Sequence, residues 1–356
     1  MAMQPQTITR IVSVWLFFCL VILVVIMVIG GASHLLESGM SITQWRPISE
    51  WMPPLNDQDF AQELEIYKAL PPFQKAFPTI ALDEFRLIYA LEYMYAVLTY
   101  GLVAVALLPL FLLSFLRMLC VRESVKLGAV FAFGGLLPGA CFYMAQNNLL
   151  EDIHFTPYRL SLQLGLQYLF FGLLLWQILT FSYPKQGIGG FELPKPTLIP
   201  KIFAILTGTA IFSQIILSGA VSGLHAGLSY NSFPRMDSVW IPEGVWPFPE
   251  WYKNIFEDAT TVQFIHRVMA YMLALLLPLF WLIGRNNPHI AHLLPILFSI
   301  FVVQFLLGVL TLLFVVPIPL AAMHQANAIL VFSITVTILH RLFLPIKTIS
   351  YDIGIV

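Results

Sequence analysis

Residues 11–31, IVSVWLFFCLVILVVIMVIGG, run for 21 positions without a charged side chain. About 20 apolar residues are what an α-helix needs to cross the hydrocarbon core of a bilayer, and the core of a signal peptide is shorter, roughly 7–15 residues. No convincing small-residue cleavage site follows, so the run is read as a retained transmembrane helix. Moving outward along the chain, comparable runs occupy 85–115, 127–145, 158–182, 202–224, 262–284, 293–316 and 320–344, which predicts eight crossings. The whole sequence agrees: of 356 residues 59% are hydrophobic and 10% charged, too little charge to coat a soluble domain of this length. A net charge of −1 with no concentrated run of Lys or Arg leaves no footprint for nucleic acid. Cys19, Cys120 and Cys141 are not placed for an exposed disulfide and are read as structural.

An even number of crossings puts both termini on one side. Arg117, Arg122, Lys126, Lys185, Lys195, Lys201 and Arg285 fall in the loops that share that side, which the positive-inside rule makes cytoplasmic or matrix. Loops 32–84 and 225–261 are long and acidic and are expected on the opposite face. Their Trp45, Trp51, Trp240, Trp246 and Trp251 fit either a folded cap at headgroup level or an ordinary aromatic belt.

The end of the first apolar run opens an internal repeat. Gly31-Ala32 through Gly39-Met40-Ser41-Ile42 matches Gly219-Ala220 through Gly227-Leu228-Ser229-Tyr230 at an offset of 188 residues without a gap. Glu92-Tyr93-Met94-Tyr95-Ala96 then pairs with Gln263-Phe264-Ile265-His266-Arg267, and Leu160-Ser161-Leu162-Gln163 with Ala321-Ala322-Met323-His324. Four crossings per half give both halves the same orientation. The predicted fold is an all-α membrane protein whose eight transmembrane helices form two tandem four-helix bundles, related by a pseudo-two-fold axis along the membrane normal. The halves are 1–182 and 202–356, joined by a cytoplasmic linker at 183–201.

Chemistry concentrates in the second half. His266 and His324 each lie about four residues into their apolar runs from the outer side, which at ~1.5 Å rise per residue places both near 6 Å depth. Two imidazoles at one depth on nonadjacent helices suit axial ligation of a haem slotted between them. Zinc would need further ligands, and no Cys, Asp or Glu recurs beside either His. A single His could be an interior hydrogen-bonding residue, but ionisable groups inside membranes are costly and usually functional, and here two coincide. Arg267 can reach a haem propionate or extend to the interface. His34, His154, His225, His289, His292 and His340 are read as solvated or interfacial, with His225 near enough to the outer loops to cover a haem edge.

These residues resemble the haem A synthase family, in its alphaproteobacterial and mitochondrial form. The resemblance rests on Gly30-Gly31-Ala32, Glu37-Ser38-Gly39-Met40-Ser41-Ile42 with Trp45, Pro53-Pro54-Leu55, Glu84-Phe85 and Tyr158-Arg159-Leu160. It continues through Tyr230-Asn231-Ser232-Phe233-Pro234-Arg235-Met236, Asn254-Ile255-Phe256-Glu257, Val262 to Arg267, Gln304 with Leu307-Gly308, Thr311-Leu312-Leu313 and His324-Gln325. It implies an eight-helix enzyme that oxidises a methyl group of haem O to the formyl group of haem A for cytochrome oxidase, using dioxygen and electrons from a bound haem b. It also implies His266 and His324 as the haem b ligands, an inner-membrane location, and the haem O synthase or oxidase assembly factors as partners.

The sequence departs from the family in the first half, where the resemblance implies a second His pair around the substrate haem. Tyr95-Ala96 stands for the family's His-Arg, Thr99 and Tyr100 for its Gly and Arg, Gln163 for the second His, and Leu137-Pro138 for a Gln-Gly. An Arg expected near the start of loop one is replaced within Ser33-His34-Leu35. The repeat reports the same loss internally, since Tyr95 and Gln163 stand opposite His266 and His324. Gln is a poor haem ligand, and Tyr binds ferric haem chiefly as phenolate against a reference pKa of about 10. Glu92, one turn before Tyr95, occupies the family's acidic position and is read as a proton acceptor in methyl oxidation or as an interfacial carboxylate. Two functions follow: a haem A synthase that holds its substrate by Tyr95, Glu92, Arg159, Gln163 and shape, or a degenerate homologue that keeps one bis-His haem b for electron transfer or assembly. A transporter has little support, because the helices lack paired breaks around buried charges.

Overall fold

The computed structural model describes residues 5–35, 53–69, 79–136, 156–182 and 196–344. In chain order the helices are α1 (Pro5–Leu35), α2 (Asp57–Lys68), α3 (Leu82–Phe115), α4 (Val121–Gly134), α5 (Thr156–Ser182), α6 (Leu198–Gly223), α7 (Trp251–Phe256), α8 (Ala259–Gly284), α9 (Leu293–Leu313) and α10 (Ile318–Phe343), with a short 3₁₀ turn at Ala226–Leu228. Among the described residues there is no strand beyond one isolated bridge, Met236 with Val239. Lipid offers no hydrogen bonds to a backbone, so long apolar segments satisfy their own N–H and C=O groups as helices.

Seven helices are long and apolar enough to cross a membrane: α1, α3, α5, α6, α8, α9 and α10. The expected third crossing, 127–145, is described only as α4, which begins six residues early at Val121 and is too short by itself to span. The rest of that run, with Leu137 and Pro138, lies outside the described residues, as do Glu37 to Trp51, Cys141, His154, Lys185 and Lys195. Two short helices were not anticipated. One of them, α2, has little apolar content; it starts where the Asn56 side chain accepts the Asp59 N–H at 2.9 Å.

Helix neighbours close into two rings. Helix α1 packs on α3, α3 on α4, α4 on α5 and α5 back on α1; likewise α6 packs on α8, α8 on α9, α9 on α10 and α10 back on α6. The rings meet where α5 touches α6 and α10, and where α1 touches α10. A shared core includes Leu16, Leu174, Phe280 and Leu342, whereas outward faces expose Leu108, Phe111 and Leu275 as a lipid-facing surface would.

Glycines and a proline set three of these contacts. On α6, Gly219 and Gly223 lie so close to α5 that a Cβ on either would come within 2.6 Å of the Ser161 or Pro157 backbone. Small residues bring helix backbones together in this way. On α3, Pro109 has no N–H to give the Val105 carbonyl one turn back. Trp15 of α1 donates its indole N–H to that carbonyl at 2.7 Å, so the break in α3 becomes a tie between helices. Outside the bundle, Phe60 and Tyr67 of α2 pack on Phe85, Tyr89 and Tyr93 of α3 and support its N-terminal end.

Candidate functional site

In the second ring α8 and α10 are diagonal, separated by α6 on one side and α9 on the other, and each carries one of the two histidines. His266 lies seven residues after the start of α8 and His324 six after the start of α10, about 10 Å and 9 Å along their helices. The helices begin three and two residues earlier than the apolar runs, and the two rings stand at like distances from the starts of their helices. They lie within electrostatic reach of each other.

His324 is held by its neighbours. Its Nδ1 lies 3.1 Å from the Gln304 main-chain oxygen, which can only accept, so Nδ1 carries the proton and Nε2 keeps its lone pair. The Gln304 amide nitrogen is 3.2 Å from that Nε2. Asn327 donates to Gln304 Oε1 at 2.9 Å and to the Ile300 carbonyl at 3.1 Å, which fixes which way the Gln304 amide faces. Beside the ring, Gly308 leaves room: a Cβ there would come within 2.9 Å of His324 Cε1.

His266 is anchored through its backbone, whose carbonyl accepts from Gln214 of α6 at 2.8 Å. Its Nδ1 is buried and meets no hydrogen-bond partner among the described residues. A buried polar atom left without a partner costs ~1–3 kcal/mol, and coordination of a ligand between the helices removes such a cost. With one imidazole directed by a second layer of hydrogen bonds and the other free at a ring nitrogen, the pair fits an iron porphyrin.

Over this site the loop that follows α6 folds back. The Arg267 guanidinium donates to the carbonyls of Tyr230 at 2.7 Å, Ser232 at 2.8 Å and Arg235 at 3.3 Å. Gln263 adds a bond to the Tyr230 carbonyl and Tyr271 one to that of Pro234. Phe233 packs against Tyr271 and Phe305. Arg267 thus ties the loop segment 230–235 to α8. His225 stands at the turn out of α6 in a left-handed conformation.

In the first ring, α3 and α5 are the corresponding diagonal. Tyr95 lies against α1, where a Cβ on Gly30 would come within 3.0 Å of its ring. Gln163 is partly buried on α5. Glu92 and Arg159 are both buried, at 7% exposure each. Both Glu92 carboxylate oxygens lack a hydrogen-bond partner among the described residues, whereas its counterpart by the internal repeat, Gln263, is engaged with the loop. The halves are joined above these residues: Tyr158 of α5 donates to Glu257 at 2.7 Å and stacks on Phe256 at 4.7 Å.

At the end of the bundle away from these residues, His340 lies beside Thr180 and Trp176, and His292 accepts from Arg341 at 2.5 Å. Burial, with the Arg341 charge beside it, holds His292 below the usual imidazole range. None of these histidines joins the pair above. The second layer, Gln304, Asn327 and Gln214, carries the signal that could have revealed it: amides inside apolar runs, where each needs a reason to be.

The model of the COX15-CtaA family, described as cytochrome oxidase assembly protein, matches residues 13–336. A heme A synthase of Nitrosospira multiformis is 34% identical over 343 residues, 95% of each chain. One of Wolbachia pipientis wMel is 35% identical over 322 residues, 90% of this chain and 89% of its own. A third, of Nitrosomonas eutropha, is 31% identical over 93% of each chain. On matches of this extent, the chain is an integral membrane protein that belongs to the haem A synthase family.

Proposed function

We propose that this protein oxidises the methyl group of haem O to the formyl group of haem A, in haem A biosynthesis for cytochrome oxidase, with haem b held in the second half by His266 and His324. The observation that supports this reading is the placement of two imidazoles at like distances along diagonal helices, one oriented by Gln304 and the other with a buried Nδ1 that meets no partner among the described residues. Haem b bound there would pass electrons one at a time toward dioxygen, the oxidant that the conversion of methyl to formyl requires. The part of the chain is to keep His324 Nε2 available as a ligand, to exclude water with the loop tied down by Arg267, and to fix the distance between the halves.

The first half is proposed as the substrate site, lined by Glu92, Tyr95, Arg159 and Gln163. A carboxyl that is buried and meets no donor is suited to hold or pass a proton near the methyl carbon. Tyr95 and Gln163 give no strong axial bond, which leaves shape and Arg159 to orient the substrate. Two relatives named heme A synthase match 95% and 93% of the chain, and the family model spans 13–336, which includes this half; this favours the synthase over a degenerate electron-transfer subunit.

The same proposal includes eight crossings in two tandem bundles, 1–182 and 202–356 with 183–201 between them, related by an axis along the membrane normal. The two closed rings of helix contacts support it. Charge in the loops supports termini on the cytoplasmic or matrix side of the inner membrane, with loops 32–84 and 225–261 opposite. The haem O synthase and cytochrome oxidase assembly factors are the partners such a reaction would have.

Expression in a host that lacks its own synthase, followed by haem extraction, tests the reading. Haem A should reappear, and Glu92→Gln should insert normally and restore about a hundredfold less, within the usual range for a lost acid or base. Normal insertion without any haem A would overturn the proposal.

A further inference from the structure

The internal repeat makes α1 the counterpart of α6 and α10 the counterpart of α5, so the α5/α6 and α1/α10 seams between the halves should be alike. They differ. At the first, Gly219 of α6 lies directly on the α5 backbone at Ser161. At the second, the equivalent glycine, Gly31 of α1, faces the side chain of Gln325, whose amide fills the place a Cβ would take. Gln325 Nε2 donates to the Met27 carbonyl at 3.1 Å, one turn before Gly31. The missing Cβ uncovers that carbonyl, and its second lone pair can take the bond.

Three adjacencies make this contact more than a helix tie. Gln325 directly follows His324. Gly30 directly precedes Gly31, and its open face holds the Tyr95 ring, which stands in the first half where His266 stands in the second. A continuous path of contacts therefore runs from His324 through the Gln325 amide and the Gly31–Gly30 backbone to Tyr95. The α5/α6 seam offers no equivalent, because Leu164 occupies the position that corresponds to Gln325.

We propose that Gln325 is a positioning residue that locks α10 to α1 and couples the His324 site to the Tyr95 site across the α1/α10 seam. This rests on the reading of His324 as a haem ligand. A Cβ at Gly31 overlaps the amide, so Gln325 must leave its bond or α10 must shift, and either one loosens the tie that holds the segment of α10 carrying His324 against α1.

The test is a double-mutant cycle on the full-length purified protein. Gly31→Ala should lower haem affinity roughly tenfold, the scale of a lost outer-shell contact, and shift the g-values of the low-spin signal. Gln325→Ala in the same chain should return the Gly31→Ala effect to that of Gln325→Ala alone, because the overlap is gone. Gly219→Ala, which meets main chain, should lower the melting temperature whether or not Gln325 is present. Thermal unfolding of the same variants reads the contact without any haem. A haem-free wild type would remove the ligand reading, while the melting cycle still decides the Gly31–Gln325 contact. Additive effects in both readouts, or an unchanged haem signal in a folded Gly31→Ala protein, would overturn the coupling.

Discussion

Gln304 holds His324 through two groups: its main-chain oxygen takes the Nδ1 proton at 3.1 Å, while its side-chain amide nitrogen lies 3.2 Å from Nε2 and 3.3 Å from Nδ1. The two contacts have opposite consequences. The first fixes the tautomer that can bind a metal, and the second must give way when Nε2 does so. Gln304→Leu keeps the main-chain contact and removes the amide, so the ring stays directed but loses its lateral support. Haem affinity is expected to fall by about tenfold, far less than for His324→Ala, as measured by haem titration of the apoprotein.

Loss of either histidine should be decisive. His266→Ala and His324→Ala should each abolish the low-spin haem spectrum of the second half while leaving membrane insertion intact. A variant that keeps the wild-type spectrum would remove that residue from the ligand set.

Space beside the ring is as constraining as the hydrogen bonds. Gly308→Ala places a Cβ 2.9 Å from His324 Cε1. The crowding should cost ~1–3 kcal/mol, read as a lower melting temperature together with a changed haem spectrum.

The tie at Pro109 has its own signature. Trp15→Phe leaves the Val105 carbonyl with only the weak Cys19 thiol contact at 4.0 Å and should destabilise the protein by ~1–3 kcal/mol. In a Pro109→Ala background residue 109 regains an N–H for that carbonyl, and Trp15→Phe should then cost clearly less. Equal costs in both backgrounds would show that the indole bond contributes little.

Beside the start of α9, His292 is held below its reference value of 6.5 by partial desolvation and by Arg341. The unfolded chain therefore binds this proton more readily than the folded one. Its contribution to stability is complete above about pH 6.5 and is lost as pH falls through the depressed native value. Melting temperature should decline with acidification below that point in the wild type and decline less in His292→Gln.

Seven of the eight expected crossings were legible in the sequence because a membrane imposes length and apolarity on every span: 85–115 and 158–182 differ from α3 and α5 by three residues or fewer at either end. His266 and His324 stood out in the sequence because charge-capable rings are conspicuous in apolar runs. The starts of their helices were placed three and two residues late, since polar turns such as Ala259–Thr261 are helical through caps that hydropathy does not register; Asp258 accepts the Thr261 N–H at 2.6 Å. Arg267 was left between a propionate and the interface, and the structure gives its guanidinium to three loop carbonyls instead, contacts that depend on how 230–235 folds back. Gln325 was visible only as part of a motif. Its partner is Met27, some three hundred positions earlier, and no periodicity links residues so far apart in the chain.

The diagonal placement of α8 and α10 also sets an order of events during synthesis. While the ribosome is still producing α9, a nascent chain can offer His266 alone, with the far wall of its compartment absent. On the proposed ligation, only delivery of α10 supplies the opposing imidazole, so prosthetic-group capture would follow insertion of this last described helix. A chain stopped between α9 and α10 should accumulate in the membrane as a pale, half-built receptacle.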